Sequence, residues 1–425
     1  MSATTDGQRI LFTVAGPDTP GITARLTGSI AEAGAHLLDI EQVVVQGQLT
    51  LCLLVGVDPT SPAGGAVLET LADAARQMGL EPKARVLETP PPDVARAEPS
   101  RHRYAVTAIG DAIDARGVHD LARVLASHHA NIETIRTLSV GQMSSLEAIV
   151  SLPDPADGPR RERDDECGRV ASGLRRALLE ATVGVDIDIA VQRERLTRRS
   201  KRLVAMDMDS TLIEIECIDE LARMYGVVDQ VAAITRRAMA GELDFEASLR
   251  ERVALLAGMP YERVLGLASH LPVMQGAARM LYVLRHLGLK TAILSGGFTF
   301  AASALKDTLG IDYAYANALE VEDGRLTGTV RDPIVTPQRK ADLLDTLAQR
   351  EGISLEQTIA IGDGANDIGM VARAGLGIAF HAKAKLREAA DTAVSSGGLD
   401  RVLYLLGLHA RDVEEVLRDA PAHVR

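Results

Sequence analysis

The chain has 425 residues, 46% apolar and 24% charged, with a net charge of −12. That is the balance of a globular protein with about two to four domains, each large enough for a core of its own. The acidic excess excludes nucleic acid as a main partner, and with no tryptophan and 3% aromatics the cores must be aliphatic.

The N-terminus lacks a charged-then-apolar signal pattern, and no apolar run reaches membrane-spanning length. Cys52, Cys167 and Cys217 are far apart and show no Cys-x-x-Cys spacing, which favours reduced thiols over a disulfide frame or zinc site. A cytoplasmic protein with no membrane partner is therefore expected.

Residues 8 to 88 read as strand, helix, strand, strand, helix, strand. Arg9 to Ala15 is a strand, Pro17-Asp-Thr-Pro-Gly21 a turn, and Ile22 to Ala33 a helix stopped by Gly34. Leu37 to Val45 and Leu49 to Val57 form a hairpin about Gln46-Gly47-Gln48. Ala66 to Met78 is a second helix and Lys83 to Leu87 a closing strand. Pro90-Pro-Pro92 and Pro99 mark a stiff linker.

The pattern then repeats. Asp18-Thr-Pro-Gly21 returns as Asp114-Ala-Arg-Gly117 and Ala35-His-Leu as Ala130-Asn-Ile. Residues 1–92 and 98–192 are thus two copies of one βαββαβ module. Residues 193–202 carry six basic side chains and are read as a solvated linker.

Residues 203–425 hold the chemistry. The run Val204-Ala-Met206 is a buried parallel strand that ends at Asp207-Met-Asp209, where open α/β sheets bind ligands. Residues 213–271 repeat apolar positions at helical spacing and form a four-helix cap. From Val273 strand and helix alternate, which completes a doubly wound parallel sheet. A second strand ends in Ser295-Gly-Gly297, Lys340 starts a helix, and a third strand ends in Gly362-Asp-Gly-Ala-Asn-Asp367. A carboxylate pair, a hydroxyl, a lysine and a second carboxylate pair supply a nucleophile, an anion anchor, a cationic clamp and metal ligands for phosphoryl transfer.

In that order these motifs resemble the haloacid dehalogenase superfamily of aspartate-nucleophile phosphatases, over about Leu203 to Leu408. Phe245-Glu-Ala-Ser-Leu-Arg-Glu-Arg-Val-Ala-Leu-Leu256 is similar to the phosphoserine phosphatase branch, and both N-terminal copies resemble the ACT module of amino-acid-responsive enzymes. One departure is Met274-Gln-Gly276, where relatives usually carry proline before the glycine. The resemblance implies Asp207 as nucleophile, Asp209 as general acid and then base, and Lys340 as clamp on nucleophile and phosphate. It implies phosphate oxygens on Ser295 and the Gly296 amide, with Asn366 also at the substrate. Mg²⁺ would be held by Asp207, the Met208 carbonyl and Asp363, with Asp209 a further candidate and Asp367 orienting a metal-bound water.

Glu216 and Arg252 suit the ammonium and carboxylate of O-phosphoserine. Asp18 and Gly21, before a helix N-terminus, are the candidate site for an L-serine effector. The expected protein is a homodimeric, magnesium-dependent phosphatase of O-phosphoserine. A phosphatase of another small alcohol phosphate, or an amino-acid sensor with a vestigial catalytic half, remain the alternatives.

Overall fold

The computed structural model describes residues 8–57, 62–87, 102–141, 143–152, 160–182, 186–422 and 424. The expected proline linker at 90–99 and the side chain of Cys167 lie outside the described residues. The chain divides into two compact units, Met1–Pro99 and Ser100–Arg425.

In the first unit, strands β1 (Gln8–Pro17), β2 (His36–Val45), β3 (Gln48–Val57) and β4 (Glu81–Leu87) form an antiparallel sheet in the order β2-β3-β1-β4. Ile10, Phe12 and Val14 turn inward along β1, as the two-residue period of a half-buried strand requires. Helices Ile22–Glu32 and Pro62–Gln77 close that face with Leu26, Ile30, Val67 and Leu71. Gln46 and Gly47 both have positive φ, the tight turn that matches strand twist. The expected βαββαβ plait is therefore present.

The second unit opens with the repeat: β5 (Arg103–Gly110), β6 (Asn131–Ser139), β7 (Ser144–Ser151) and β8 (Ile187–Arg193), in the order β6-β7-β5-β8. Burial separates the copies. β1 alternates, whereas β5 is buried from Tyr104 through Gly110. Ile109, Leu138 and Ala190 join the same apolar cluster as Leu405 and Val413 of the catalytic domain. The second module thus shares a core with the catalytic domain.

This corrects the reading of 193–202 as a solvated linker. Arg195, Arg199 and Arg202 do face solvent. Arg198 is instead buried against Glu147 and, at 2.8 Å, Glu194, while Lys201 is buried and donates to the Glu356 carbonyl at 2.7 Å.

Seven strands build the catalytic sheet: β9 (Leu203–Met206), β10 (Lys290–Phe298), β11 (Tyr313–Glu322), β12 (Arg325–Arg331), β13 (Thr358–Gly362), β14 (Gly377–Phe380) and β15 (Thr392–Val394). The order is β12-β11-β10-β9-β13-β14-β15, parallel throughout except for β12, which pairs antiparallel with β11 at the edge. Central β9 and β13 are buried at every residue, which is why their sequences are unbroken apolar runs.

Between β9 and β10 lie the cap helices Cys217–Tyr225, Val228–Met239, Phe245–Ala254 and Tyr261–Ala268. Each buries a short stripe, such as Leu249 and Val253, and Asp244 caps the third helix by accepting from the Ala247 amide at 2.7 Å. Gly276 has φ 78°, and any side chain there would strike Asp400, so glycine fixes this turn although Gln275 replaces the usual proline. No described helix is long and apolar enough to cross a membrane.

Candidate active site

Asp207 and Asp363 follow the C-terminal ends of the neighbouring strands β9 and β13, whose register pairs Met206 with Ile361. The Asp207 amide donates to the Ile361 carbonyl at 2.9 Å, which pins the first loop to the second strand. Lys340 is fully buried, and its Nζ stands 2.8 Å from both Asp207 Oδ1 and Asp367 Oδ1. Burial disfavours its charge, but the two carboxylates win and hold the ammonium well above its ordinary range. Asn366 Nδ2 donates to Asp207 Oδ2 at 3.2 Å, so Asn366 braces the expected nucleophile.

Ligand atoms of Asp207, Asp363 and Asp367 lie within 4.8 Å of one another, all buried. Burial, then Asp207 and Glu216, push the Asp363 carboxyl up to about 6. Three clustered oxygens that resist carrying charge together fit a hard divalent cation. Asp367 is already engaged: Oδ2 accepts from the Asp363 and Gly364 amides at 3.2 Å each, and Oδ1 accepts from Lys340.

One metal-ligand expectation, the Met208 carbonyl, is corrected, and another, Asp209, is narrowed to its backbone. The Met208 carbonyl accepts the amides of Thr211, Leu212 and Ile213 at 3.3, 2.8 and 3.0 Å, so the turn consumes it. The Asp209 side chain is outside the carboxylate cluster; its Oδ1 takes the Cys217 amide at 3.4 Å. Among the described residues no backbone amide donates to the Asp209 carbonyl.

Asp209 is pushed up to about 8 by burial and by the charges of Glu216 and Asp207. A carboxyl held neutral near pH 7 can donate a proton. The raised values also fix a sign for stability. Without metal, the folded state keeps protons on Asp363 and Asp209 that the unfolded chain releases near 4. The stability these two groups contribute is therefore fully present below pH ~4 and is lost as pH rises through about 6 for Asp363 and about 8 for Asp209. A cation that binds the ionised cluster offsets this loss. Thermal melts at pH 5 and pH 8 should show a larger magnesium-induced rise at pH 8, and equal rises would contradict the assignment.

Ser295 is buried, and its Oγ accepts the Gly297 amide at 2.9 Å. The sequence reads the strand as ending at Ser295-Gly-Gly297, but the glycines sit in a bulge within β10, which runs on to Phe298, and space is the constraint there. A Cβ at Gly297 would lie 2.6 Å from Asp209 Oδ2, and one at Gly296 would lie 2.6 Å from the Phe245 ring. Asn317, a lone amide in an apolar strand, ties the Gly296 carbonyl at 2.7 Å to the Val335 amide at 2.7 Å. That buried polar residue was the available signal, and the sequence reading passed over it.

Small-molecule sites are cavities of roughly 300–1,000 Å³, and the one here measures about 380 Å³. It is lined by Asp207, Asp209, Ser295, Gly296, Asp363 and Asn366 from the sheet and by Glu216 and Arg252 from the cap side. Ser210 Oγ donates to Glu216 Oε1 at 2.9 Å. Arg252 Nε donates to the Ser248 carbonyl at 3.2 Å, and burial pulls its pKa down against the opposing charges of Asp219, Glu216 and Asp209. Phe245, which opens the cap motif, also lines the cavity, as do Asp219 and Lys383, which the sequence did not single out.

In the first module Asp18 and Gly21 are exposed, and Gly21 has φ 99° at the start of helix Ile22–Glu32. In the second copy the Asp114 carboxylate itself accepts the Gly117 amide at 2.8 Å. The helix start there is self-capped, so the first module alone offers an open one of the two.

A parallel sheet with paired acidic loops, a lysine between them and a helical cap defines a haloacid dehalogenase-like hydrolase. Residues 201–375 match that family, and residues 8–84 and 100–192 each match the ACT domain. The chain is 40% identical over 405 residues to a phosphoserine phosphatase of Mycobacterium tuberculosis, covering 95% of this chain and 94% of that one. It is 40% identical over 414 residues to a phosphoserine phosphatase of Streptomyces coelicolor, covering 97% and 95%. The solved structure of a probable phosphoserine phosphatase from Vibrio cholerae superposes with a TM-score of 0.57 at 36% identity, covering 74% of this chain and 89% of that one. The chain belongs to the phosphoserine phosphatase family, as a haloacid dehalogenase-like hydrolase domain preceded by two ACT domains.

Proposed function

We propose that the protein hydrolyses O-phospho-L-serine to serine and phosphate through a phosphoryl group carried on Asp207. The observation that carries the reading is the cavity that places the buried Asp207, between Lys340 and Asn366, opposite Glu216 and Arg252. Asp207 Oδ1 already accepts from Lys340 and from the Met208 amide at 2.7 Å, which leaves Oδ2 the less engaged oxygen. Oδ2 attacks phosphorus while the bond to the seryl oxygen breaks, and neutral Asp209 gives that oxygen its proton. Asp209, now ionised, takes a proton from the incoming water, which attacks phosphorus and releases Asp207. General acid–base help of this kind is worth roughly 10²–10⁴-fold.

Asp207, Asp363 and the Asp209 carbonyl would hold Mg²⁺, with Asp367 orienting a bound water. Bound there, the ion supplies neutralising charge for the incoming phosphate. Ser295 and the Gly296 amide hold phosphate oxygens. Phosphate release from a panel of small esters, with and without magnesium, tests the reading. Preference for phosphoserine supports it; preference for a sugar phosphate, or no release at all, overturns it.

Glu216 receives the substrate ammonium and Arg252 its carboxylate. Arg252→Ala should then cost phosphoserine about 10–100-fold in kcat/KM, the worth of a charge-assisted pair at roughly 1.5–3 kcal/mol. Phosphoethanolamine lacks the carboxylate and should lose little. Equal losses on both esters would give the arginine another job.

Feedback by serine at Asp18 and Gly21 is supported by the open helix start of the first module, with a coupling of ~1–3 kcal/mol. The second module shares the catalytic core, so the shortened chain for this test must begin near Ser100, since a cut at Arg198 would strip Ile109, Leu138 and Ala190 from the cluster. Serine that inhibits both chains equally and competitively would refute the regulatory site. Homodimer formation is supported by the edge strand β2, where Leu37, Leu38, Ile40, Val43, Val44 and Val45 are all exposed. The unpaired Cys52 and Cys217 fit a cytoplasmic setting.

A further inference from the structure

We propose that the cleft where the second ACT domain meets the catalytic domain binds a small phosphate-class oxyanion, held by Lys201 among the surrounding arginines. This goes beyond the hydrolytic reading and does not depend on it. The cleft has a volume of about 240 Å³. β8 contributes Gln192 and Arg193 to its wall, the connector contributes Arg195, Arg198 and Lys201, and Glu356 and Asp391 come from the catalytic domain. Four cationic side chains, Arg193, Arg195, Arg198 and Lys201, thus line it beside two carboxylates.

The two most buried cations each keep an unused donor. Arg198 gives its terminal nitrogens to Glu147 and Glu194, yet its Nε is buried with no partner. Lys201 Nζ donates to the carbonyls of Glu356 at 2.7 Å and Thr358 at 3.4 Å and makes no ion pair among the described residues. An ammonium has three donors, so one remains. Burial brings Lys201 down to about 8, with Asp391 and Glu356 opposing and Arg198 adding to the fall.

The carboxylates present do not quench these donors. Glu356 is on Arg195 at 3.2 Å, and Asp391 Oδ2 accepts the Gly377 amide at 2.7 Å. Arg193 faces His102 Nδ1 at 3.2 Å. Buried donors without acceptors are costly, and a compact oxyanion in the cleft can take the spare Lys201 donor, while Arg198, whose Nε is sealed from solvent, adds positive charge beside it. A phosphate offers oxygens enough to reach Arg193 or Arg195 as well.

The position separates this site from the catalytic one. Glu356, Leu376 and Asp391 precede β13, β14 and β15, whereas Asp207 and Asp363 follow strand ends at the opposite edge of the sheet. A bound oxyanion would tie β8 to the starts of β9 and β13.

The test is equilibrium binding of inorganic phosphate to the full chain at constant ionic strength, with Lys201→Met and Arg195→Glu compared. A phosphonate analogue of a small phosphomonoester, run in parallel, distinguishes free phosphate from an ester as the occupant. The wild type should bind one more phosphate or phosphonate per chain than either variant, or bind it at least tenfold more tightly, while the KM for phosphoserine stays the same in all three. Arg195 lies at the half-exposed rim, so its variant keeps the test valid should Lys201→Met unfold. Equal stoichiometry and affinity in the wild type and in every folded variant would overturn the proposal.

Discussion

Replacing Asp207 by asparagine is expected to lower turnover by roughly 10⁴-fold or more, the scale seen when a covalent nucleophile is removed. The amide is isosteric, so the fold should persist. Its oxygen can still accept from Lys340 and from the Met208 amide, the two donors now on Oδ1. What is lost is the anionic Oδ2 that faces Asn366 Nδ2, where an amide nitrogen would set donor against donor. Phosphate release, with a thermal melt to check folding, reads both parts. A folded variant with near wild-type turnover would remove Asp207 from the mechanism.

The second large effect is structural. Lys340→Met should cost about 3–5 kcal/mol of stability at neutral pH, because it strands two buried carboxylates. Asp207 and Asp367 each take one hydrogen bond from Nζ at 2.8 Å, and methionine fills the volume without the charge. The loss should shrink toward pH 5, since burial and Asp207 already hold Asp367 above the usual carboxylate range, so that it protonates early. Denaturant melts at the two pH values measure it. A loss below about 1 kcal/mol at pH 7 would show that the ammonium is dispensable to the fold.

Much of this site was legible because the chemistry dictates residue type and order. Asp207, Ser295, Lys340 and Asp363 sit on separate elements, yet parallel strands deliver their C-terminal ends to one edge, so sequence order alone places them together. The βαββαβ repeat was legible for a similar reason: its turns and apolar alternation are local. Long-range partners were not. Glu194 is a local partner of Arg198, but its other partner, Glu147, lies 51 positions away and nothing in the local sequence marks the pair as buried. Two-sided burial of β5 depends on the C-terminal helices that cover it. The Met208 carbonyl failed as a ligand because three amides of the following turn claim it, a matter of backbone geometry that residue identity does not show.

The most direct test of the account is rapid-quench mixing of the full chain with phosphoserine and magnesium, followed by acid quench and peptide mapping. The expected result is a phosphoryl adduct on the peptide containing Asp207, formed and lost at rates that match turnover and absent in Asp207→Asn. Steady turnover with no adduct at any time, or an adduct on another residue, would contradict it.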